Sequence, residues 1–427
     1  MEKAGKTFCA LALLCLAPFF FLGCRSAPEG SAPAACAWTV EDAGWFDDNG
    51  SHAGACEGYV SLALNLKGGP QVMYLLVSHL RGPGGKYGNT TLCRAWQEDG
   101  KWKREDLASV YVGIITAQLA FDRDGRPVVA VWTRQAYPSV KEDSFILTRD
   151  TEWKSQPIPI RSPDFCMALD SSGAMHIAWP EGAEIKHAAY RYSERLETVG
   201  AVKRAHPKPY EFYHSLVMDV DRSDNVHLAY VDDTGLHYGL RTSDGWKIEN
   251  VDSSLTVEGR VAIDTDNSGN PHLVYEDGRD GIMYAWRDAQ GWHSERIGVG
   301  RQPSIDVDRF SGIPYVTYVR ANRAYFKDSG DGRLVLACRI DGKWRDRTIN
   351  TQVAAGSSTD IKLHYDGTAP VSIGVAFQSS IDNNNIKFAS AQFTKGKAIL
   401  AIFGSFAPLI FCLALGANRR HSSGGAQ

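Results

Sequence analysis

A seven-fold internal repeat constrains the fold of this chain more than any other feature of its sequence. Each copy has an alternating apolar segment, then a turn rich in Asp, Ser and Gly, then a second apolar segment. The clearest copies are residues 261–275, 218–230 and 167–179, and looser copies lie at 62–74, 119–132, 305–318 and 361–373. Their second segments begin at Pro70, Pro127, Met175, Val226, Pro271, Pro314 and Pro370, which are 43 to 57 residues apart. This period predicts seven equivalent structural units.

Two further strands complete most of the units. The third is a short apolar segment such as residues 281–286, and the fourth follows a tight turn and opens with Trp. The Trp residues of these fourth strands are Trp102, Trp153, Trp246, Trp292 and Trp344. One four-stranded sheet cannot bury both of its faces alone, but sheets stacked around an axis can. The pattern therefore predicts an all-β fold, a seven-bladed β-propeller with four-stranded antiparallel blades.

The ring must also be closed. The seventh unit, residues 360–390, shows three strands and no Trp-led fourth strand after them. Near the other end of the chain, Trp38 and Glu41 match the start of such a strand. We predict that residues 37–42 form the fourth strand of the last blade, because this closure removes an open sheet edge.

The fourth strands carry a family resemblance. Residues 243–246 and 341–344 resemble shortened forms of the Asp-box motif, Ser-x-Asp-x-Gly-x-Thr-Trp, of sialidase-like (BNR/Asp-box type) propellers. The resemblance covers about residues 36–394 and implies the propeller fold. The Arg-Ile-Pro setting of that family's catalytic arginine is missing from the first blade, and its other catalytic residues have no evident match. Since propellers host many functions, the resemblance does not imply sialidase activity.

The N-terminus carries an export signal. Lys3 and Lys6 precede an apolar run at residues 8–22, which is typical of a signal peptide over residues 1–23. Residues 21–24 resemble a bacterial lipobox, which would make Cys24 a lipidation site; ordinary cleavage within residues 26–35 is the alternative. Residues 24–35, rich in Pro and Ala, then form a tether.

The C-terminus carries a second candidate membrane segment. Residues 398–417 form an uncharged run long enough to span the hydrocarbon core as a transmembrane helix. Lys395 and Lys397 precede it, and Arg419 and Arg420 follow it in a short tail, residues 418–427. A sorting tag that a protease removes and a buried core helix are the alternatives. The two ends predict an exported protein anchored in the cell envelope, with its propeller in the periplasm or outside the cell.

The connections between second and third strands differ in length. They are short in units three to five and long in units six, seven, one and two, where residues 319–332, 376–384, 77–89 and 133–143 lie. Long insertions on one face of a repeat protein often mark its binding side. Arginine and tyrosine side chains there suit carboxylate or sugar ligands. The candidate ligand-binding residues are Arg81, Tyr87, Arg134, Tyr137, Arg320, Arg323 and Tyr325, with Lys86 beside them. Solvated loop decoration remains the alternative.

Metal binding is a weak candidate. Asp264, Asp266 and Ser268 match the opening of a calcium loop, but Tyr275 stands where such loops end in Glu. A turn rich in Asp and Ser is the ordinary explanation. The repeated His176, His227 and His272 sit in neighbouring blades, too far apart to share a metal, and we expect them to be hydrogen-bonded structural residues. We predict no cofactor.

The cysteines suggest one disulfide. Cys36 and Cys56 flank the predicted closing strand and could form a disulfide in an oxidising compartment. Cys93, Cys166 and Cys338 lie in strand patterns, where we expect them to pack as small apolar side chains.

Composition limits the function. A net charge of −3 gives no long-range field that would favour nucleic acid. We expect a monomeric, non-catalytic binding or scaffold module that recognises a glycan or a protein partner in the envelope. The alternatives are a sialidase-like glycoside hydrolase or lyase, for which Glu142 and Asp143 are the only loop acids to test, and a purely structural envelope protein.

Overall fold

The computed structural model describes the propeller region of the chain. The described residues are 38–43, 55–77, 80–82, 85–111, 113–136, 139–190, 196–202, 215–254, 260–320, 331–354, 358–367, 369–380 and 385–393. The predicted signal peptide, tether, C-terminal span and tail lie outside them. Within the described residues, no helix is long and apolar enough to cross a membrane.

The first half of the chain contributes β1 and three blades. In chain order the strands are β1 (Thr39–Asp42), β2 (Ala55–Leu64), β3 (Pro70–Val77), β4 (Leu80–Gly82), β5 (Gly85–Tyr87), β6 (Asn89–Glu98), β7 (Lys101–Tyr111), β8 (Gly113–Phe121), β9 (Pro127–Gln135), β10 (Lys141–Arg149), β11 (Trp153–Pro157), β12 (Cys166–Leu169), β13 (Met175–Glu181), β14 (Glu184–Tyr190) and β15 (Leu196–Ala201). Strands β2, β3, β6 and β7 form blade 1, β8–β11 form blade 2, and β12–β15 form blade 3. The hairpin β4–β5 lies between β3 and β6 of blade 1.

The second half contributes four blades. Its strands are β16 (Leu216–Val220), β17 (Val226–Asp232), β18 (Gly235–Thr242), β19 (Gly245–Asp252), β20 (Val261–Thr265), β21 (Pro271–Glu276), β22 (Gly281–Asp288), β23 (Gly291–Val299), β24 (Arg301–Asp308), β25 (Ile313–Arg320), β26 (Asp331–Ile340), β27 (Lys343–Ala354), β28 (Thr359–Asp366), β29 (Ala369–Gln378) and β30 (Ile386–Gln392). Strands β16–β19, β20–β23 and β24–β27 form blades 4, 5 and 6. Blade 7 has the order β1-β30-β29-β28. The first strands of consecutive blades contact one another around a ring, so the seven-bladed propeller is confirmed.

The N-terminal strand closes this ring. Strand β1 pairs antiparallel with β30, in a register that places Thr39 opposite Ser390. Their hydroxyl oxygens lie 2.9 Å apart, and the Ala43 amide donates to the Ile386 carbonyl at 2.9 Å. The prediction that residues near 37–42 complete the last blade is thus confirmed.

The cores lie between blades. Blades 5 and 6 bury one such cluster, which includes Tyr284, Val316 and Tyr318, each at most 2% exposed. These side chains come from alternate positions of β22 and β25, as the two-residue period of a strand requires. Each blade buries one face against each neighbour, so the ring must close before the last cores are complete.

A Trp-x-x-Glu sequence on the outer strands joins the blades at the rim. Glu249 on β19 accepts two hydrogen bonds from Arg287 in the next blade, at 2.9 and 3.0 Å, and a third from Trp292 Nε1 at 2.8 Å. We call such a contact a rim clamp. Related contacts join Glu295 to Arg339 and Trp344, Glu197 to Arg241, and Glu105 to Arg149. Glu41 of the closing strand accepts from Trp102 Nε1 at 2.8 Å, so the same clamp seals the ring.

The turns after the inner strands of blades 1 to 5 are each held by an Asp or Asn side chain. Asp221 Oδ1 accepts hydrogen bonds from the amides of Ser223 and Asn225, at 2.8 and 2.9 Å. Asn65, Asp122, Asp170 and Asp266 accept amide hydrogen bonds in the same way in their own turns. Gly269 has a φ of +76°, which favours glycine, and a Cβ there would lie 2.5 Å from Asp221 Oδ2. The Asp-rich segments of the repeat therefore serve to cap these turns.

Candidate functional site

The antiparallel topology gives the disc two different faces. Inner strands begin on one face and end on the other. The connections from second to third strands lie on the face where the inner strands begin, which we call the loop face. The Asp-capped turns lie on the opposite face, which we call the turn face.

The connections on the loop face differ in length, and three of the four that were predicted to be long are long. The connections in blades 3, 4 and 5 have only residues 182–183, 233–234 and 277–280 between strands. Those in blades 6, 7 and 1 span residues 321–330, 379–385 and 78–88. The prediction for blade 2 was wrong, because its connection spans only residues 136–140. The β9–β10 ladder continues past the apolar positions, where Arg134 pairs with Glu142 and Thr133 pairs with Asp143.

Two of the predicted binding residues have described side chains. Arg134 Nε lies 3.5 Å from Glu142 Oε1 on the neighbouring strand. Arg320 donates to Tyr318 Oη at 2.7 Å and to Asp346 Oδ2 at 2.8 Å. Both arginines lie at the loop-face ends of their strands, but each is engaged within its own blade.

The other candidates can be placed less fully. Arg81 and Lys86 lie opposite each other in the β4–β5 hairpin, and Tyr87 ends it, without described side chains. Tyr137, Arg323 and Tyr325 lie outside the described residues. The structure therefore does not bring the seven candidates together into one described site.

An axial cavity lies at the centre of the ring. Its volume is about 210 Å³, and all seven inner strands contribute to its lining. The lining includes Ser61, Arg260, Ser304, Asp360 and Lys362. In five of the seven inner strands, β12, β16, β20, β24 and β28, the lining residues lie mainly toward the start of the strand, which places the cavity toward the loop face. The sequence does not reveal this site, because its members lie 43 to 57 residues apart on successive inner strands and share no motif.

Side chains on the inner strands hold the cavity wall together. Asp360 Oδ2 accepts the amide of Leu62 at 2.7 Å, and Asp306 Oδ2 accepts the amide of Leu363 at 2.9 Å. Asp264 Oδ2 accepts the amide of Val307 at 2.5 Å, and Gln118 Oε1 accepts that of Met167 at 2.7 Å. An inner strand is a sheet edge with unpaired amides, and these bonds satisfy them from the preceding blade.

The inner strands also bring several aspartate side chains close to Lys362, which lines the cavity. Asp219, Asp264 and Asp306 occupy successive inner strands, and burial raises the pKa of each, with the charge of Asp264 adding to it for the other two. Burial lowers the pKa of Lys362, but Asp360, Asp306, Asp264 and Asp219 outweigh that effect and raise it. Lys362 is therefore a protonated ammonium whose charge is balanced by a surrounding group of carboxylates.

The turn face is interlocked at the axis. The Arg222 guanidinium in blade 4 lies 5.4 Å from the centre of the Phe310 ring in blade 6. Ser171 in blade 3 donates its amide to Asp224 in blade 4 at 2.7 Å. These contacts join turns of blades 3, 4 and 6 on the turn face.

The two aspartates of the calcium candidate, Asp264 and Asp266, have separate structural roles. Asp266 caps its own turn, where it accepts the amides of Ser268 and Asn270 at 2.8 and 2.9 Å. Asp264 belongs to the axial group instead. In the part of the chain that the structure describes, no three His, Cys, Asp or Glu side chains are arranged to hold a metal ion.

The repeated histidines are structural, as predicted. Nδ1 of His227 lies 2.7 Å from Tyr238 Oη, and Nδ1 of His272 lies 2.6 Å from Tyr284 Oη. In blade 3 the tyrosine is replaced by His187, whose Nε2 lies 3.2 Å from His176 Nδ1. Burial lowers the pKa of His187 to about 4, helped by the charges of His176 and Arg241.

The cysteine predictions are confirmed only in part. Cys93, Cys166 and Cys338 are buried and not in disulfides, which confirms their packing role. Cys36 lies outside the described residues, and Cys56 lies in β2 without a described side chain. Their disulfide remains a prediction, as does lipidation of Cys24, which also lies outside the described part.

Comparisons with known proteins give structural likenesses only. No family model and no curated protein matches the chain. A protein of unknown function from Dyadobacter fermentans is 11% identical with a TM-score of 0.48, over 83% of this chain and 99% of that one. AofleA from Arthrobotrys oligospora is 11% identical with a TM-score of 0.45, over 73% and 90%. The Aleuria aurantia lectin, a six-bladed fucose-recognising propeller, is 13% identical with a TM-score of 0.42, over 67% and 93%. These TM-scores lie below 0.5, so the fold and the site rest on the topology and contacts described above.

Proposed function

We propose that this chain is a non-catalytic propeller of the cell envelope that recognises a glycan on its loop face. The observation that carries the proposal is the axial cavity, which is lined by hydroxyl and charged side chains and lies toward that face. Sugars present many hydroxyl groups, and a concave site with several placed polar groups matches them. The loop face is the side of entry, because the cavity lies toward it.

The size of the cavity favours a glycan over a protein. A specific protein–protein interface buries about 800 Å² on each partner, which calls for a broad surface. A cavity of about 210 Å³ instead takes one small group. The longer connections of blades 6, 7 and 1 would then contact the rest of an extended glycan around the cavity mouth.

Glu142 and Asp143 give little support to a glycoside hydrolase of sialidase-like type. Such an enzyme needs two carboxyl groups about 5 to 10 Å apart on the two sides of the scissile bond. Glu142 and Asp143, predicted to lie in a loop, are consecutive residues of strand β10 and so point to opposite faces of the blade. They also lie close to cations, Glu142 to Arg134 and Asp143 to Lys141.

Envelope anchoring is part of the proposal and rests on the sequence of the two ends. It is tested by fractionating cells that express the full chain, the Cys24→Ser variant, a truncation before residue 398, and the combined variant. We expect the protein in membranes until both anchors are removed. Recovery of the unaltered chain as a soluble protein would contradict the anchoring.

A glycan array probed with the full chain, with and without calcium, tests recognition. We expect selective binding that does not need calcium and that weakens when Arg134→Ala changes the loop face. The matched control is Lys154→Ala, an exposed residue on the outer strand β11. A blank array would overturn glycan recognition and would move the function to a protein partner or a structural role.

A further inference from the structure

Most polar groups in the axial cavity already have protein partners. Asp360 uses one carboxylate oxygen for the Leu62 amide and the other for the Ser304 hydroxyl, at 3.1 Å. Thr359 donates its hydroxyl to the Gln302 carbonyl at 2.9 Å. These groups build the wall and have little capacity left for a ligand.

Two lining groups are different. Among the described residues, neither the Ser61 hydroxyl nor the Lys362 ammonium has a hydrogen-bond or ion-pair partner, although both line the cavity. They come from β2 and β28, which are neighbouring inner strands across the junction where the ring closes. A protonated ammonium inside a protein is stable only when its donors are satisfied, which here requires water or a ligand.

The charge around Lys362 selects the kind of ligand. Asp219, Asp264, Asp306 and Asp360 already act on this ammonium through space. An anionic ligand would add another negative charge to a group that holds four carboxyls and one ammonium. A neutral ligand with hydroxyl oxygens can accept hydrogen bonds from Lys362 without that repulsion.

The volume limits the ligand to one small ring. The cavity has a volume of about 210 Å³. Ligand pockets for larger molecules are usually about 300 to 1,000 Å³. A cavity of this size and polarity matches a single sugar residue with several hydroxyl groups.

We infer that the axial cavity binds one neutral sugar residue whose hydroxyl oxygens accept hydrogen bonds from Lys362 and bond with Ser61. This inference rests on the proposed glycan recognition and names its central contact. The rest of a longer glycan would extend over the loop face, so the terminal residue determines most of the specificity.

The test is calorimetric titration of the full chain with two sets of probes. One set is the methyl glycosides of neutral hexoses, and the other is the matching hexuronic acids. We expect binding of a neutral glycoside and at least about a 10-fold loss in Lys362→Met, because a hydrogen bond to a charged donor is removed. Lys154→Met, on the outer strand β11, is the matched control and should bind like the unaltered chain.

Ser61→Ala separates loss of binding from loss of folding. It removes one hydroxyl and should weaken binding by about 5-fold, while Ser109→Ala on the outer strand β7 should not. If Lys362→Met does not fold, Ser61→Ala alone decides. Unchanged affinity in the Ser61 variant, or in a folded Lys362 variant, would overturn the inference while leaving glycan recognition intact. Preference for the hexuronic acids would overturn the neutral ligand class, and absence of binding to any glycan would overturn both proposals.

Discussion

The rim and the axis of this propeller use charged residues in opposite ways. At the rim, four clamp glutamates face an arginine of the next blade, and several clamp glutamates also accept an indole N–H. At the axis, Asp219, Asp264 and Asp306 crowd on successive inner strands around the single ammonium of Lys362. The rim charges are paired and partly exposed, whereas the axial charges are crowded and deep in the protein.

This difference separates stability from function. Paired groups hold the blades in place, and removing one partner leaves another unsatisfied. Crowded groups with raised carboxyl pKa values lower stability when they ionise, and such costs are often retained where a ligand binds. We therefore expect substitutions at the rim to destabilise the fold, and selected substitutions at the axis to stabilise it.

The largest expected effect is at a complete rim clamp. Glu249→Ala removes the acceptor of three hydrogen bonds and leaves Arg287 and Trp292 without it. We expect the free energy of unfolding to fall by about 2 to 3 kcal/mol, measured by urea denaturation at neutral pH. Gln156→Ala, at the matching position of blade 2, is the control and should change little. A loss below the error of the measurement would show that the clamps do not stabilise the ring.

The next effect appears at the irregular junction between blades 3 and 4. His187 is 1% exposed and its pKa is lowered to about 4, so the unfolded state binds more protons below about pH 6.5. Stability should therefore fall by about 2 kcal/mol as the pH falls from 6.5 to 4. Glu197 faces His187 at 3.5 Å, and its own lowered pKa, due first to its hydrogen bond from Arg241, acts in the same direction.

The variant His187→Tyr isolates the histidine. Tyrosine occupies the equivalent position in blades 4 and 5, where its hydroxyl bonds with His227 or His272. We expect this variant to keep its fold through a bond to His176 and to lose part of the stability change between pH 6.5 and 4. Unfolding curves at several pH values, compared with those of His237→Tyr, give the measurement. An unchanged pH dependence would rule out His187 as its source.

A smaller effect of opposite sign is expected at the axis. Burial raises the pKa of Asp306 to about 8, so the folded state binds more protons between about pH 4 and 8. Its ionisation therefore lowers stability as the pH rises through that range. Asp306→Asn keeps an oxygen for the Leu363 amide and removes the charge. We expect a gain of about 1 kcal/mol at pH 9 and none at pH 4, with the exposed Asp366→Asn as control. A loss of stability in Asp306→Asn at pH 9 would contradict the proposed contrast between rim and axis.

The repeated strands and turns of the blades could be recognised in the sequence, whereas the axial site could not, for a physical reason. Trp-led outer strands and Asp-capped turns recur in most of the blades, so the repeat reveals the fold, including closure by Trp38 and Glu41. The length of a connection is harder to predict from the sequence. In blade 2 the β9–β10 ladder continues through polar residues that resemble a loop. The axial site depends on single residues such as Ser61 and Lys362, which come together only because the ring closes.

The most direct test is the structure of the protein bound to its best glycan from the array. We expect one sugar residue in the axial cavity, with a hydroxyl oxygen within hydrogen-bond distance of Lys362 Nζ, and the remaining sugar residues over blades 6, 7 and 1. A glycan bound between blades at the rim, or on the turn face, would contradict it.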